Sequence, residues 1–271
     1  MPIGGGSFTV QNKVLPGAYI NYVSMGTNAK MGERGVAALP LELNWGPEGQ
    51  VFKLDAADFN ATSLKVFGYD PTDANILLVR EAMKRAKTLL IYRVNGGGTK
   101  ASGTVGGMTV TAKYGGTRGN AIKVAVVTNV DDATKADVVT YLDDMVMDSQ
   151  TVAKSGGAAS LVANDFVTFG TAATLAAATA TPLTGGTNAT VNASKHTAAL
   201  TAFEVETFNV IGYPGTVEDI KSLYAAFVKR LRDDEGKKIV GVLYGYDGDN
   251  MGLINVKNGV VLTNGTTITG D

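Results

Sequence analysis

Glycine-rich turns invite a search for phosphate chemistry first, because backbone N–H groups unhindered by side chains can cradle an anion. The chain has 34 glycines, but their spacing matches none of the usual cradles. A dinucleotide turn needs GxGxxG, and here Gly96 and Gly98 are followed by Ala101, Gly4 and Gly6 by Thr9. The run GGTRGNAIK, ending at Lys123, lacks the Gly-Lys-Ser/Thr that brings a lysine onto a phosphate; it reads as a turn leading into a strand. Nucleophilic catalysis has less to work with: there is no cysteine, no serine in a GxSxG elbow, and one imidazole, His196. Flanked by Lys195 and Thr197, that histidine reads as a solvated position at a helix start. Asp247-Gly248-Asp249-Asn250 resembles the opening of a calcium loop, but Met251 occupies a ligand position and Asn258 stands where the bidentate glutamate belongs. Asp143-Asp144 reads as a hairpin turn and Asp233-Asp234-Glu235 as a helix end. The residues therefore predict no catalytic group, no cofactor and no metal site.

Composition narrows the partners. A formal net charge of −1 without a long Lys/Arg run argues against nucleic acid and against an anionic membrane surface. With 45% apolar and 18% charged residues the 271-residue chain can bury a core, so disorder throughout is excluded. The N-terminal MPIGGGSFTVQNK has neither a basic n-region nor an apolar h-region, and no apolar run reaches the roughly 18 residues of a membrane span, so no leader and no span are expected.

The elements that would position any site are clearest between Thr207 and Tyr244. Phe208–Gly212 is a short apolar strand, Pro214-Gly215 turns the chain, and Thr216 is placed to cap a helix. Val217, Ile220, Leu223, Tyr224, Phe227, Val228 and Leu231 then recur at three and four residues, with Lys221, Lys229, Arg230 and Arg232 expected to face away. Gly236 ends the helix, and the wholly apolar IVGVLY from Ile239 predicts a parallel strand covered on both faces. Earlier in the chain a second such unit is expected. It runs from a strand at Leu64–Phe67 through a helix opened by Asp70-Pro71, with Ile76, Val79, Met83 and Ala86 on its apolar side, into the strand Leu89–Val94. Before it, Val36–Leu43 reads as a strand pushed to an edge or bulge by Pro40.

At Asn95-Gly96-Gly97-Gly98 the composition changes, and until about Thr190 the chain alternates without helical period. Strands are expected at 105–113, 122–129, 138–142, 145–152 and 165–169. These elements define the fold class as an α/β core domain with an inserted small all-β domain, sandwich- or barrel-like, and an extended N-terminal arm. The boundaries are 1–24 for the arm, 25–96 and 190–271 for the core, and 97–189 for the insertion. The arm, with its apolar VLPGAYINYV, is suited to lie on a sheet edge of its own or of a neighbouring molecule.

Several stretches are distinctive as an ordered set: PGAYINYVS, GERGVAALPLELNWGP, YRVNGGG, GTRGNAIKV, TYLDDMVMDSQTV, LTGGTNATV with the following ALTAFE, and FNVIGYPG. Together they resemble the tail sheath proteins of contractile phage tails, particularly the short sheaths of prophage-derived particles and of R-type bacteriocins of Gram-positive bacteria. The resemblance implies a structural, non-enzymatic subunit that stacks in rings around a tail tube and contracts to drive the tube through the target envelope. It implies a location in the tail of a phage or phage-like particle assembled in the host cytoplasm. Its partners would be other sheath subunits, reached by strand donation from Phe8, Val10, Val14, Tyr19 and Ile20, and a tube and baseplate for the full-length parent. Members of that family continue past Asp271 into a C-terminal domain, so this chain reads as a shortened sheath subunit that is monomeric on its own. Two other classes compete. A nucleotide-binding-like α/β enzyme would use the strand, helix, strand units, and a carbohydrate-binding surface protein would use the β-rich insertion.

Overall fold

The computed structural model describes residues 35–257, 259–261 and 265–268. Strands β1 (Val36–Leu41), β2 (Val51–Asp55) and β3 (Thr88–Arg93) come first, with helices α1 (Phe59–Phe67) and α2 (Leu77–Met83) between β2 and β3. Seven strands without a long helix follow: β4 (Lys100–Val105), β5 (Met108–Gly115), β6 (Ile122–Thr128), β7 (Lys135–Leu142), β8 (Met145–Ala153), β9 (Val167–Phe169) and β10 (Ala178–Pro182). The chain then forms α3 (Ala193–Glu204), β11 (Val210–Tyr213), α4 (Glu218–Asp233), β12 (Val240–Tyr244) and β13 (Leu253–Val256).

The first and last groups make one six-stranded sheet in the order β13-β12-β11-β1-β3-β2, parallel except for the antiparallel edge strand β2. Helices α3 and α4 close one face. Their Ala199, Leu200, Phe203, Tyr224, Phe227, Val228 and Leu231 interlock with Ala38, Leu90, Tyr92, Ile211 and Leu243. Each leucine, isoleucine, valine or phenylalanine among them contributes about 1.5–3 kcal/mol by leaving water. On the opposite face α1 and α2 cover the other end of the sheet, where Phe59, Phe67, Ile76, Val79 and Met83 pack on Leu41, Leu89 and Ile91.

Strands β4 to β10 form two smaller sheets, ordered β10-β6-β7-β8 and β4-β5-β9, whose inner faces share a second core. Alternation sets the inner face: Met108, Val110 and Ala112 on β5 meet Ile122, Val124 and Val126 on β6 and Ala136, Val138 and Leu142 on β7. The β7–β8 turn is Asp143-Asp144 with φ of 48° and 67°, the two left-handed residues a two-residue hairpin needs.

Several expectations fail for physical reasons. Strand β1 is central, not an edge. Its ladder to β11 covers only Ala37 and Ala38, so Pro40 lies beyond the hydrogen bonds it could not make, while pairing to β3 continues to Leu41. Leu64–Phe67 is the last turn of α1, ended by left-handed Gly68; a short apolar run is compatible with helix or strand, and Phe59, Ser63 and Phe67 at steps of four decide for helix. Asp70 caps a turn through Thr72, and Asp73 caps the following 3₁₀ turn, so α2 starts later than the Asp-Pro pair suggests. The α4 N-cap is Val217, without a side-chain cap bond, and Lys221 is buried rather than outward: it pairs with Glu218 at 3.3 Å and lies over the Tyr244 ring.

Candidate functional site

The strand-donating residues expected from the sequence, Phe8, Val10, Val14, Tyr19 and Ile20, lie outside the described residues. Of the glycine turns that invited phosphate chemistry, Gly4 and Gly6 lie outside the described residues and the others are engaged internally. Gly97 N–H donates to Glu48 Oε2 at 2.7 Å, and Gly96 O accepts from Lys195 Nζ at 3.1 Å. Arg118 of the GGTRGNAIK turn donates through Nε to Gly68 O at 2.6 Å, pairs with Asp143, and stacks on Tyr69. Asp247 pairs with Lys257 at 2.7 Å and accepts from Asn255 at 2.8 Å. Among the described residues no three His, Cys, Asp or Glu side chains gather as a metal site requires. Nor is any helix among them long and apolar enough to cross a membrane.

His196 is buried, contrary to the solvated position expected of it. Four residues into α3, it shares the inward face with Ala199, Leu200 and Phe203. Its Nδ1 shares a hydrogen bond with Tyr224 Oη at 3.1 Å, and its ring stands edge-on to Tyr213, 5.2 Å between centroids. Burial pushes the imidazole pKa below its ordinary value and pushes the Tyr224 phenol up. The cleft beside it lies at the carboxyl ends of β1 and β11, where the strand order reverses and where open α/β sheets hold ligands. That cleft measures about 220 Å³ and is walled by Leu41, Val94, Tyr213 and Pro214. Small-molecule sites run from roughly 300 to 1,000 Å³ and converge several polar groups; this one is an aromatic core position with a shallow mouth.

The feature the fold leaves conspicuously unfinished is the other side of β11, β12 and β13. Register places Ala37, Val210 and Val240 in one row across the sheet and Gly212, Val242 and Ile254 in the next, with the Leu39 side chain beside Gly212. Ala37 and Leu39 pack against the α1–α2 cluster, whereas Val210, Val240 and Val242 lie outside it. A groove of about 440 Å³, almost entirely apolar, runs between Ala82 of α2 and Ala86 just beyond it on one side and the strand residues Val210 and Val242 on the other. Further out, Ile254 is 52% and Val256 36% exposed. Among the described residues no strand pairs beyond β13. A parallel sheet is normally covered on both faces, and IVGVLY was read that way. Only the α4 side of β12 is covered within the described residues. Sequence reading missed this surface because apolarity records that a strand will be covered without recording by what.

Models of three regions of one kind of protein match the chain in succession: the domain III N-terminal region of tail sheath protein Gp18 over residues 34–94, the phage tail sheath β-sandwich domain over 96–188, and the phage tail sheath central domain over 189–271. The chain belongs to the phage tail sheath family. This sheath chain is 40% identical to the uncharacterized protein YqbK of Bacillus subtilis, matching 98% of its own length and 60% of that protein. It is 39% identical to the phage-like element PBSX protein XkdK of the same organism, over 99% and 61% of the two chains. Among solved structures, a sheath tail protein of Desulfitobacterium hafniense superposes with a TM-score of 0.83 at 45% identity, over 94% of this chain and 59% of that one. A sheath tail protein of Listeria innocua gives 0.77 at 39% identity, over 89% and 54%. The sheath chain thus spans about 60% of the length of the curated relatives it matches. The family is structural, and the fold is a mixed α/β architecture that includes a β-sandwich domain.

Proposed function

We propose that this chain is a structural subunit of a contractile tail sheath, which polymerises around a tail tube and contracts to drive it through a target envelope. The observation that carries the reading is the unbroken succession of three sheath regions along residues 34–271. The half-bare sheet supports it, since a parallel sheet with an apolar groove and an open edge is suited to be completed by other polypeptide. In this reading residues 25–96 and 190–271 are the sheath core, 97–189 an inserted β domain, and 1–24 an arm. Phe8, Val10, Val14, Tyr19 and Ile20 of that arm donate a strand to a neighbouring subunit. The tube and baseplate are partners of the complete assembly, in a phage or phage-like tail built in the host cytoplasm, and this chain alone is monomeric.

Co-assembly tests the proposal. Expressed with the full-length sheath tail protein of Desulfitobacterium hafniense, the chain enters sedimenting sheath polymers, whereas the chain lacking residues 1–21 stays in the supernatant with its melting temperature unchanged. An intact, folded chain that never co-sediments contradicts the reading.

A further inference from the structure

Arg93 closes the fully buried strand β3 and is itself only 1% exposed. A buried guanidinium is normally held by a carboxylate, because neutral surroundings leave its charge poorly compensated. Arg93 instead spends its donors on neutral oxygens from four separate segments. Nε donates to Asn95 Oδ1 at 3.2 Å, Nη1 to Gly46 O at 3.2 Å and Gly115 O at 2.7 Å, and Nη2 to Asn188 Oδ1 at 3.2 Å. Glu48, whose charge acts on it from further away, directs Oε2 to Gly97 N–H.

The four acceptors lie where the six-stranded sheet meets the β4–β10 sandwich. Asn95 begins the chain's passage into the sandwich and Asn188 its return. The two passages are zipped together by Ala189 N–H to Asn95 O and Thr187 N–H to Thr99 O, both 3.1 Å. They run so close that a Cβ on Gly98 would sit 1.9 Å from Thr187 O. Gly46 belongs to the loop that inserts Trp45 into the sandwich core, against Tyr114 and Phe166. Asn188 Nδ2 donates to Asn44 Oδ1 at 2.8 Å, and Asn95 Oδ1 also accepts from Leu43 N–H at 3.0 Å, so both asparagines tie the same loop.

We propose that Arg93 is the coupling residue that makes the sheet and the sandwich one cooperative unit. Its guanidinium pins the outgoing passage, the returning passage, the Trp45 loop and the end of β5 to a single point. Removing it takes a donor from buried or half-buried acceptors on all four segments, leaving Asn95 Oδ1 only the Leu43 N–H and Asn188 Oδ1 only a long bond from Thr117 N–H, a penalty relieved when the two bodies separate and water enters.

The chain carries its own reporters. Trp45 is its one tryptophan and sits at the joint, while α1 to α4 all belong to the six-stranded body, so far-ultraviolet dichroism at 222 nm follows that body. In the intact chain the fluorescence and dichroism melts coincide. In Arg93→Met the fluorescence transition moves below the helical one by at least about 4 °C. Arg93→Lys separates them too, since one ammonium cannot reach four acceptors. Asn188→Ala, a milder lesion that keeps the guanidinium, separates them less and decides the matter if Arg93→Met is insoluble. Coincident melts in folded Arg93→Met, or in Asn188→Ala where that variant has to decide, overturn the proposal, as do separate melts in the intact chain.

Discussion

The two faces of β11 and β12 make an instructive pair. On one, Ile211 and Leu243 are 1% exposed beneath α3 and α4. On the other, Val210, Val240 and Val242 are partly exposed, although their side chains are as apolar. In the proposed sheath reading, neighbouring residues of the same strands belong to two stages of construction. One face is finished by this chain's own helices, and the other offers the same chemistry to whatever completes the sheet. Strand apolarity reports burial in the final assembly, and only helix placement tells how much of it this chain achieves by itself.

The largest contrast comes from placing a carboxylate on each face. Val228→Asp puts an unpaired charge at a fully buried α4 position, costs at least about 3 kcal/mol, and leaves the chain unfolded or with a much lowered urea midpoint. Ile254→Asp, on the open face, leaves that midpoint within about 0.5 kcal/mol of the parent but weakens entry into sheath polymers. Equal destabilisation by the two would erase the distinction between the faces.

A smaller effect separates the closed face by pH. His196 is the only histidine, and burial lowers its folded pKa below the ordinary 6.5. Above pH 6.5 the folded and unfolded states are both neutral there, so the group leaves stability flat. Below 6.5 the unfolded chain takes up a proton the folded one resists, and stability falls with acid until the folded pKa is reached. Urea midpoints measured between pH 7.5 and about 5 should show that loss, and His196→Gln should flatten the slope. A slope unchanged by the substitution would mean another group titrates. The smallest effect is at the surface: Arg230 bridges Glu204 and Glu235 in water, and Arg230→Ala should leave the thermal midpoint nearly unchanged. A clear drop in that midpoint would show that the α3–α4 face depends on this pair.

Much of the fold was legible because its signals are periodic. The α4 stripe and the β6, β7 and β8 alternation around Asp143-Asp144 lie where three-and-four or two-residue spacing puts them. Strand β2 escaped because VFKLD is short and mixed, and α1 because Asn60, Thr62 and Ser63 weaken its helical signal. His196 and Lys221 were assigned outward by residue type, while helix phase placed both inward; the phase was readable from Ala199, Leu200 and Phe203 for the first and from Ile220, Tyr224 and Val228 for the second. Arg93 left one signal, a charged residue closing an otherwise apolar strand before Asn95 and three glycines. Its four acceptors are dispersed over residues 46 to 188, which no local pattern links. The open face could not be read at all, since it differs from the closed one only in what packs against it.

Amide hydrogen exchange of the chain, alone and after incorporation into polymers of a full-length sheath relative, tests the central claim most directly. The account predicts new protection at residues 253–256 on the open edge, together with slowed exchange along 240–244, while α4, already covered, is unchanged. Incorporated chain whose β12 and β13 amides exchange as fast as in the free chain would contradict it.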